Sequence, residues 1–182
     1  MVTTSQDLMV FTEADFDRLP GDGMFEVVDG RVILVPGNDP PHARLTLALS
    51  MAFANQLTPA SGFVFPNVNV FVPPPADSSA EIQNRVPDLA VSTFEPGARF
   101  RADRPPELVV EILSTRRGNV ECTEQIDDYA RAGIGEYWVV DPFARVVEVY
   151  LLENGDYVLQ PYSAAIIPRA FRNVTIDVRI LF

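Results

Sequence analysis

Lysine is missing altogether: the 182 residues carry 14 basic side chains, and every one of them is arginine. A phosphate-binding P-loop, which needs its lysine, is therefore excluded. Cysteine is almost absent as well. Cys122 alone cannot close an internal disulfide, which agrees with a reducing compartment, and with no acid–base arrangement around it the residue reads as structural. The single histidine, His42, leaves no His/Cys cluster for zinc, and Cys-x-x-Cys, His-Glu-x-x-His and Gly-x-Ser-x-Gly motifs do not occur. Long apolar runs are lacking too. The best of them, Leu45 to Leu57, is broken by Thr46, Ser50, Asn55 and Gln56, too short and too polar to span a bilayer. Met1 to Val10 has neither the basic start nor the apolar centre of a secretory signal. The expectation is a cytoplasmic protein with no membrane attachment.

Positive charge is scarce overall. Fourteen basic against 25 acidic residues leave a net charge of −11. Phosphate backbones are bound largely through Lys/Arg neutralisation and counterion release, so this chain has no general attraction to nucleic acid. Any such activity must rest on a local basic patch, a bound metal or a partner.

What is present is an ordinary globular composition, 47% hydrophobic and 21% charged, of a length that suits one domain over residues 1–182. Phe11 to Asp15 predicts a short helix capped by Thr12. Met24 to Val28 and Arg31 to Val35 flank Asp29-Gly30, a strong hairpin signal. Leu45, Leu49, Ala52 and Phe53 recur at helical spacing from His42 to about Leu57. Phe63 to Val72 reads as one long strand with an irregularity at Pro66, and Pro73 to Asn84 as a loop. Val86 to Ser92 and Glu107 to Leu113 predict neighbouring central strands, Asn119 to Ala132 a helix stopped by Gly133, and Glu136 to Val140, Arg145 to Leu151 and Tyr157 to Gln160 further strands. The fold class is α/β in the broad α+β sense: a mixed central sheet flanked by helices.

Three carboxylates sit where carboxylates are expensive. Asp88 lies within Val86-Pro87-Asp88-Leu89-Ala90, Glu111 within Leu108-Val109-Val110-Glu111-Ile112-Leu113, and Glu26 interrupts Phe25-Glu26-Val27-Val28. An acid in an apolar strand must be paired, hydrogen-bonded or bound to metal. Two on adjacent strands repel one another unless a cation lies between them, and oxygen-only ligation suits Mg²⁺ or Mn²⁺. The bland reading is a solvent-facing acid, or one paired with an arginine. His42, following Pro40-Pro41, reads by itself as a capping or surface residue. Tyr137 and Trp138 read as core aromatics, and Arg99, Arg101 and Arg104 as a solvated loop that could touch a phosphate backbone.

Phe25 to Gly30, His42, Pro87-Asp88, Glu111-Ile112-Leu113-Ser114, Tyr129 to Gly133 and Glu136 to Asp141 occur in an order that resembles the Uma2 family, endonucleases of the restriction-endonuclease-like PD-(D/E)XK superfamily. The resemblance runs from about Phe11 to Tyr157. It implies a restriction-endonuclease-like fold and a site in which Asp88, Glu111 and the backbone carbonyl of Ile112 hold Mg²⁺ or Mn²⁺, with Glu26 and His42 in the same cleft and DNA as substrate. One departure stands out. The lysine expected two residues past the glutamate is Leu113 here, and the alternative position on the following helix, four residues before Tyr129, is Gln125. Glutamine can orient a water but brings no charge, a role related nucleases accept; Arg116 or Arg117 are candidates for the missing positive charge. The competing expectation is a catalytically inactive relative that keeps the fold and acts as a binding or regulatory homodimer.

Overall fold

The computed structural model describes residues 11–21, 23–114, 119–161 and 163–182, with the backbone alone for 119–124. It opens with a one-turn helix, α1 (Glu13–Phe16), capped by Thr12 as the sequence predicts, with Asp15 completing a capping box. The hairpin β1 (Phe25–Val28) and β2 (Arg31–Leu34) follows. Asp29 and Gly30 take φ of 49° and 73°, the pair of positive values that a two-residue hairpin turn requires. Helix α2 (Pro40–Ala54) comes next; Asp39 caps it, not His42, by accepting the His42 amide at 2.9 Å.

The long strand expected over Phe63 to Val72 is two strands. β3 (Phe63–Pro66) and β4 (Val70–Val72) belong to different sheets, and Asn67 between them has a φ of 50°. Phe63 and Phe65 fall on odd positions and Val68, Val70 and Val72 on even ones, although Val64 and Phe71 break the alternation, and an unbroken pleat would put the two sets on opposite faces. The loop expected up to Asn84 ends in a strand, β5 (Gln83–Arg85), polar throughout and buried throughout.

The remaining strands are β6 (Leu89–Ser92), β7 (Leu108–Ile112), β8 (Glu136–Asp141), β9 (Val146–Glu153), β10 (Asp156–Leu159), β11 (Ala165–Ile166) and β12 (Ile176–Asp177), with α3 (Asn119–Arg131) between β7 and β8. One sheet runs β10-β9-β8-β7-β6-β3, and a second runs β2-β1-β5-β4. A mixed sheet is therefore present as expected, with the second sheet in addition. Only β7 and β8 pair in parallel in the six-stranded sheet, which is why a helix connects them.

Strand alternation divides the core. Leu108, Val110 and Ile112 join Leu45, Leu49 and Phe53 of α2, together with Trp138. Val109 joins Tyr129 of α3 and Tyr137 on the opposite face. Tyr137 and Trp138 are core aromatics, as predicted. Among the described residues no helix is long and apolar enough to cross a membrane.

Gly133 closes α3. Its amide donates to Ala130 O and the Ile134 amide to Tyr129 O, the crossed pair of bonds of a Schellman cap, at a φ of 73°. A Cβ there would meet nothing within 4 Å, so the cost of adding one is conformational. Gly133→Ala is expected to lower stability by about 1–2 kcal/mol in urea unfolding, with the slope unchanged.

Candidate functional site

Asp88 stands at the entry to β6, immediately after the β5 segment. The β6–β7 ladder pairs Leu89 with Val110, so one further step sets Asp88 opposite Glu111. The carboxylate reaches past its partner: Oδ2 accepts the Ile112 amide at 2.7 Å and contacts His42 Nε2 at 3.0 Å. Oδ1 makes no hydrogen bond to any described residue. In extended backbone a residue's N–H and C=O point the same way, which turns the Ile112 carbonyl toward Asp88.

His42 is neither a cap nor a surface group. It is buried in the first turn of α2 beside Thr46, whose hydroxyl lies 3.4 Å from Nδ1, and it bridges that helix to Asp88. Its single occurrence in the chain carries no periodicity from which burial could be read.

Glu26 projects from β1 into the same region. Oε1 accepts the Val86 amide at 3.1 Å and Oε2 accepts Arg85 Nη1 at 3.2 Å. The arginine-paired reading therefore describes Glu26. Arg85 also donates through Nε to Asp128 of α3 at 2.6 Å, and Asp128 takes a further bond from Arg131. Burial works against the Arg85 charge, but Asp128 and Glu26 outweigh it and its pKa is raised. Neither Arg85 nor Asp128 was a candidate from sequence. Arg85 sits in a polar run with no apolar pattern, and Asp128 lies on a helix face rich in acids.

Glu111 takes the α3 side of the sheet, where Tyr129 donates its hydroxyl to Oε1 at 2.6 Å. Burial first, then the Glu111 charge, drive the Tyr129 pKa well above that of a free phenol, so the hydroxyl remains a proton donor. Tyr129 was noticed in the sequence only as part of a motif; its contact to Glu111 gives it a positioning role.

A cleft of about 520 Å³ opens beside these groups, lined by Glu26, His42, Arg85, Asp88 and Gln125 together with the β2–α2 connection. Gln125 is buried in the cleft wall, at the position where the resemblance leads one to expect a lysine. Glu111 is not among the lining residues; its neighbour Ile112 donates its amide to Asp88, which is. Arg116 and Arg117 lie outside the described residues.

The donor set fits a hard cation that keeps much of its water. An unpaired carboxylate oxygen on Asp88 and a carbonyl turned toward it are oxygen ligands of the kind Mg²⁺ takes. Among the described residues no three His, Cys, Asp or Glu side chains form a group that could hold a metal ion.

The basic loop is largely exposed, as the sequence predicts, yet its arginines are engaged. Arg99 pairs with Asp17 and lies over Phe71, 4.9 Å from the ring centroid, while Arg101 donates to Glu13 at 2.8 Å. Arg104 covers Phe94 at 3.7 Å. These arginines hold α1 and the loop in place rather than presenting a phosphate-binding surface.

No curated protein matches the chain. Among solved structures it is similar to one from Anabaena variabilis ATCC 29413 titled as "a putative nuclease belonging to DUF820", with 18% identity, a TM-score of 0.71, and coverage of 93% of this chain and 96% of the other. At that identity the likeness establishes the fold, an α+β architecture shared with a nuclease-type protein. The sequence profile of Uma2, described as "Putative restriction endonuclease", matches residues 13–179. Spanning nearly the whole chain, that match makes this protein a member of the Uma2 family.

Proposed function

We propose that the chain is a metal-dependent endonuclease that hydrolyses phosphodiester bonds of DNA, using Mg²⁺ or Mn²⁺ held by Asp88, Glu111 and the Ile112 carbonyl. The observation that carries this reading is the Asp88 carboxylate: one oxygen is pinned by the Ile112 amide and His42, and the other has no partner among the described residues at the wall of an open cleft. Such a metal, when bound, lowers the pKa of water and offsets charge on the scissile phosphate. The protein's part is positional. The Ile112 amide and His42 fix Asp88, and Tyr129 fixes the Glu111 side chain behind it. Glu26 holds Arg85 at the rim, and Gln125 offers an amide that can orient, but not deprotonate, a water.

A plasmid-nicking assay with Mn²⁺ tests the proposal. Wild type is expected to convert supercoiled DNA to open circles slowly, and Gln125→Lys to do so at least about tenfold faster, since an added cation lowers the barrier to attack on a phosphate. No cleavage by either protein would leave the family membership standing and remove the hydrolytic activity.

A second reading is a nuclease-fold binding module acting as a homodimer. Two features favour it: Glu111 is not among the residues lining the cleft, and β2, at an edge of its sheet, exposes Val32, Ile33 and Leu34. An apolar edge strand of this kind pairs readily with another chain.

A further inference from the structure

A phosphodiester entering the cleft meets the carboxylates of Glu26, Asp39 and Asp88, on a chain of net charge −11 without lysine. The start of α2 faces the same space, yet it offers no free donor. Pro40 and Pro41 have no amide hydrogen, the His42 amide is taken by the Asp39 side chain, and the Ala43 amide by the Asp39 carbonyl. Arg99 and Arg101 are committed to α1.

Among the described residues Arg85 is the one arginine lining the cleft. Its guanidinium is partly spoken for: Nε donates to Asp128 and Nη1 to Glu26. Nη2 donates to no described residue, and the side chain, though only 6% exposed, lines the cleft. We infer that Arg85 is the phosphate-binding residue of this cleft, its Nη2 donating to a non-bridging oxygen of the nucleic-acid backbone; this rests on the nuclease reading and adds the group that meets the substrate.

Three physical points support the assignment. Two carboxylates clamp the guanidinium plane, so little side-chain freedom is lost when a phosphate arrives. The charges of Glu26 and Asp128 balance those of Arg85 and Arg131, so the clamp itself adds no net repulsion. A charge-assisted bond from arginine to phosphate is among the stronger hydrogen bonds available.

The test is binding rather than cleavage. Anisotropy of a fluorescein-labelled 20-base-pair duplex, with Ca²⁺ in place of Mg²⁺, gives Kd across a series of NaCl concentrations. The variant pair Arg85→Gln with Glu26→Gln removes one charge of each sign, and Glu26→Gln alone is the control. The double variant should bind about tenfold more weakly than the control and lose about one unit from the slope of log Kd against log salt, the signature of one lost phosphate contact. A folded double variant with the control's affinity and slope overturns the assignment. Should the double variant not fold, inorganic phosphate titrated into wild type labelled with ¹⁵N-arginine decides: moved Arg85 Nη signals support the contact, and unmoved ones overturn it. Wild type that neither binds duplex nor nicks plasmid sinks the nuclease reading as a whole; tight wild-type binding with an indifferent double variant sinks only the role of Arg85.

Discussion

Asp88→Asn should melt close to wild type in metal-free buffer, show no stabilisation by Mn²⁺, and cleave plasmid at least about 100-fold more slowly. The asparagine keeps an oxygen to accept the Ile112 amide, so the anchoring bond survives while the charge that attracts the cation is gone. Wild type in Mn²⁺ at 100-fold over its Kd should gain about 2.7 kcal/mol, or roughly 5–10 °C in Tm for a chain of this size. Losing even an outer contact to a metal commonly lowers activity 10–100-fold, and removing a ligand should do no less. Equal thermal shifts in the two proteins would take Asp88 out of the metal site. Glu111→Gln provides a parallel arm, with Tyr129 still able to donate to the remaining carbonyl oxygen.

The largest loss of stability should come from Asp128→Ala. Asp128 is almost fully buried and receives both Arg85 and Arg131. Truncating it leaves Arg85 with Glu26 as its remaining carboxylate partner and a cavity beside a charge that cannot be neutralised by losing its proton. Removing one member of a buried ion pair costs about 3–5 kcal/mol, which corresponds to a fall in Tm on the order of 10 °C. Asp128→Asn, which retains an acceptor, should cost less. A melting point within a degree or two of wild type for the alanine variant would mean that Glu26 and solvent satisfy Arg85 without Asp128.

The regular elements were readable because their signals are local. The Asp29-Gly30 turn, the Thr12 cap and the Gly133 stop each depend on the chemistry of a few neighbouring residues, and each is found where the sequence puts it. The rule that an acid in an apolar strand marks a site was less selective. It picked out Asp88, Glu111 and Glu26, yet it applies equally to Glu136, which is buried in β8 and spent on Trp138 Nε1 at 2.7 Å and the Arg169 amide at 2.6 Å. Burial raises the Glu136 pKa, against those bonds, without any sign of a catalytic task.

What was illegible shares one cause: buried polar groups satisfied over long sequence distances. Gln83-Asn84-Arg85 carries no apolar pattern, and its burial depends on partners almost 60 residues away, such as the Val27 amide held by Asn84 Oδ1 at 2.8 Å. Read by itself, His42 was mistaken for a cap or surface residue for the same reason, since its partner Asp88 is 46 positions along the chain, and only the family resemblance set it in the cleft. Hydrophobic periodicity reports which side chains avoid water, not which polar ones find each other.

Gln125 and Tyr129 lie four residues apart on α3, hence on one face, the first in the cleft wall and the second gripping Glu111. Inserting a single residue within α3 between the two would swing Gln125 away from Tyr129 by about a quarter turn or slightly more. The helix acts as one ruler with two marks, so evolution can change the chemistry at either mark by substitution but can retune their spacing only by rebuilding the whole segment.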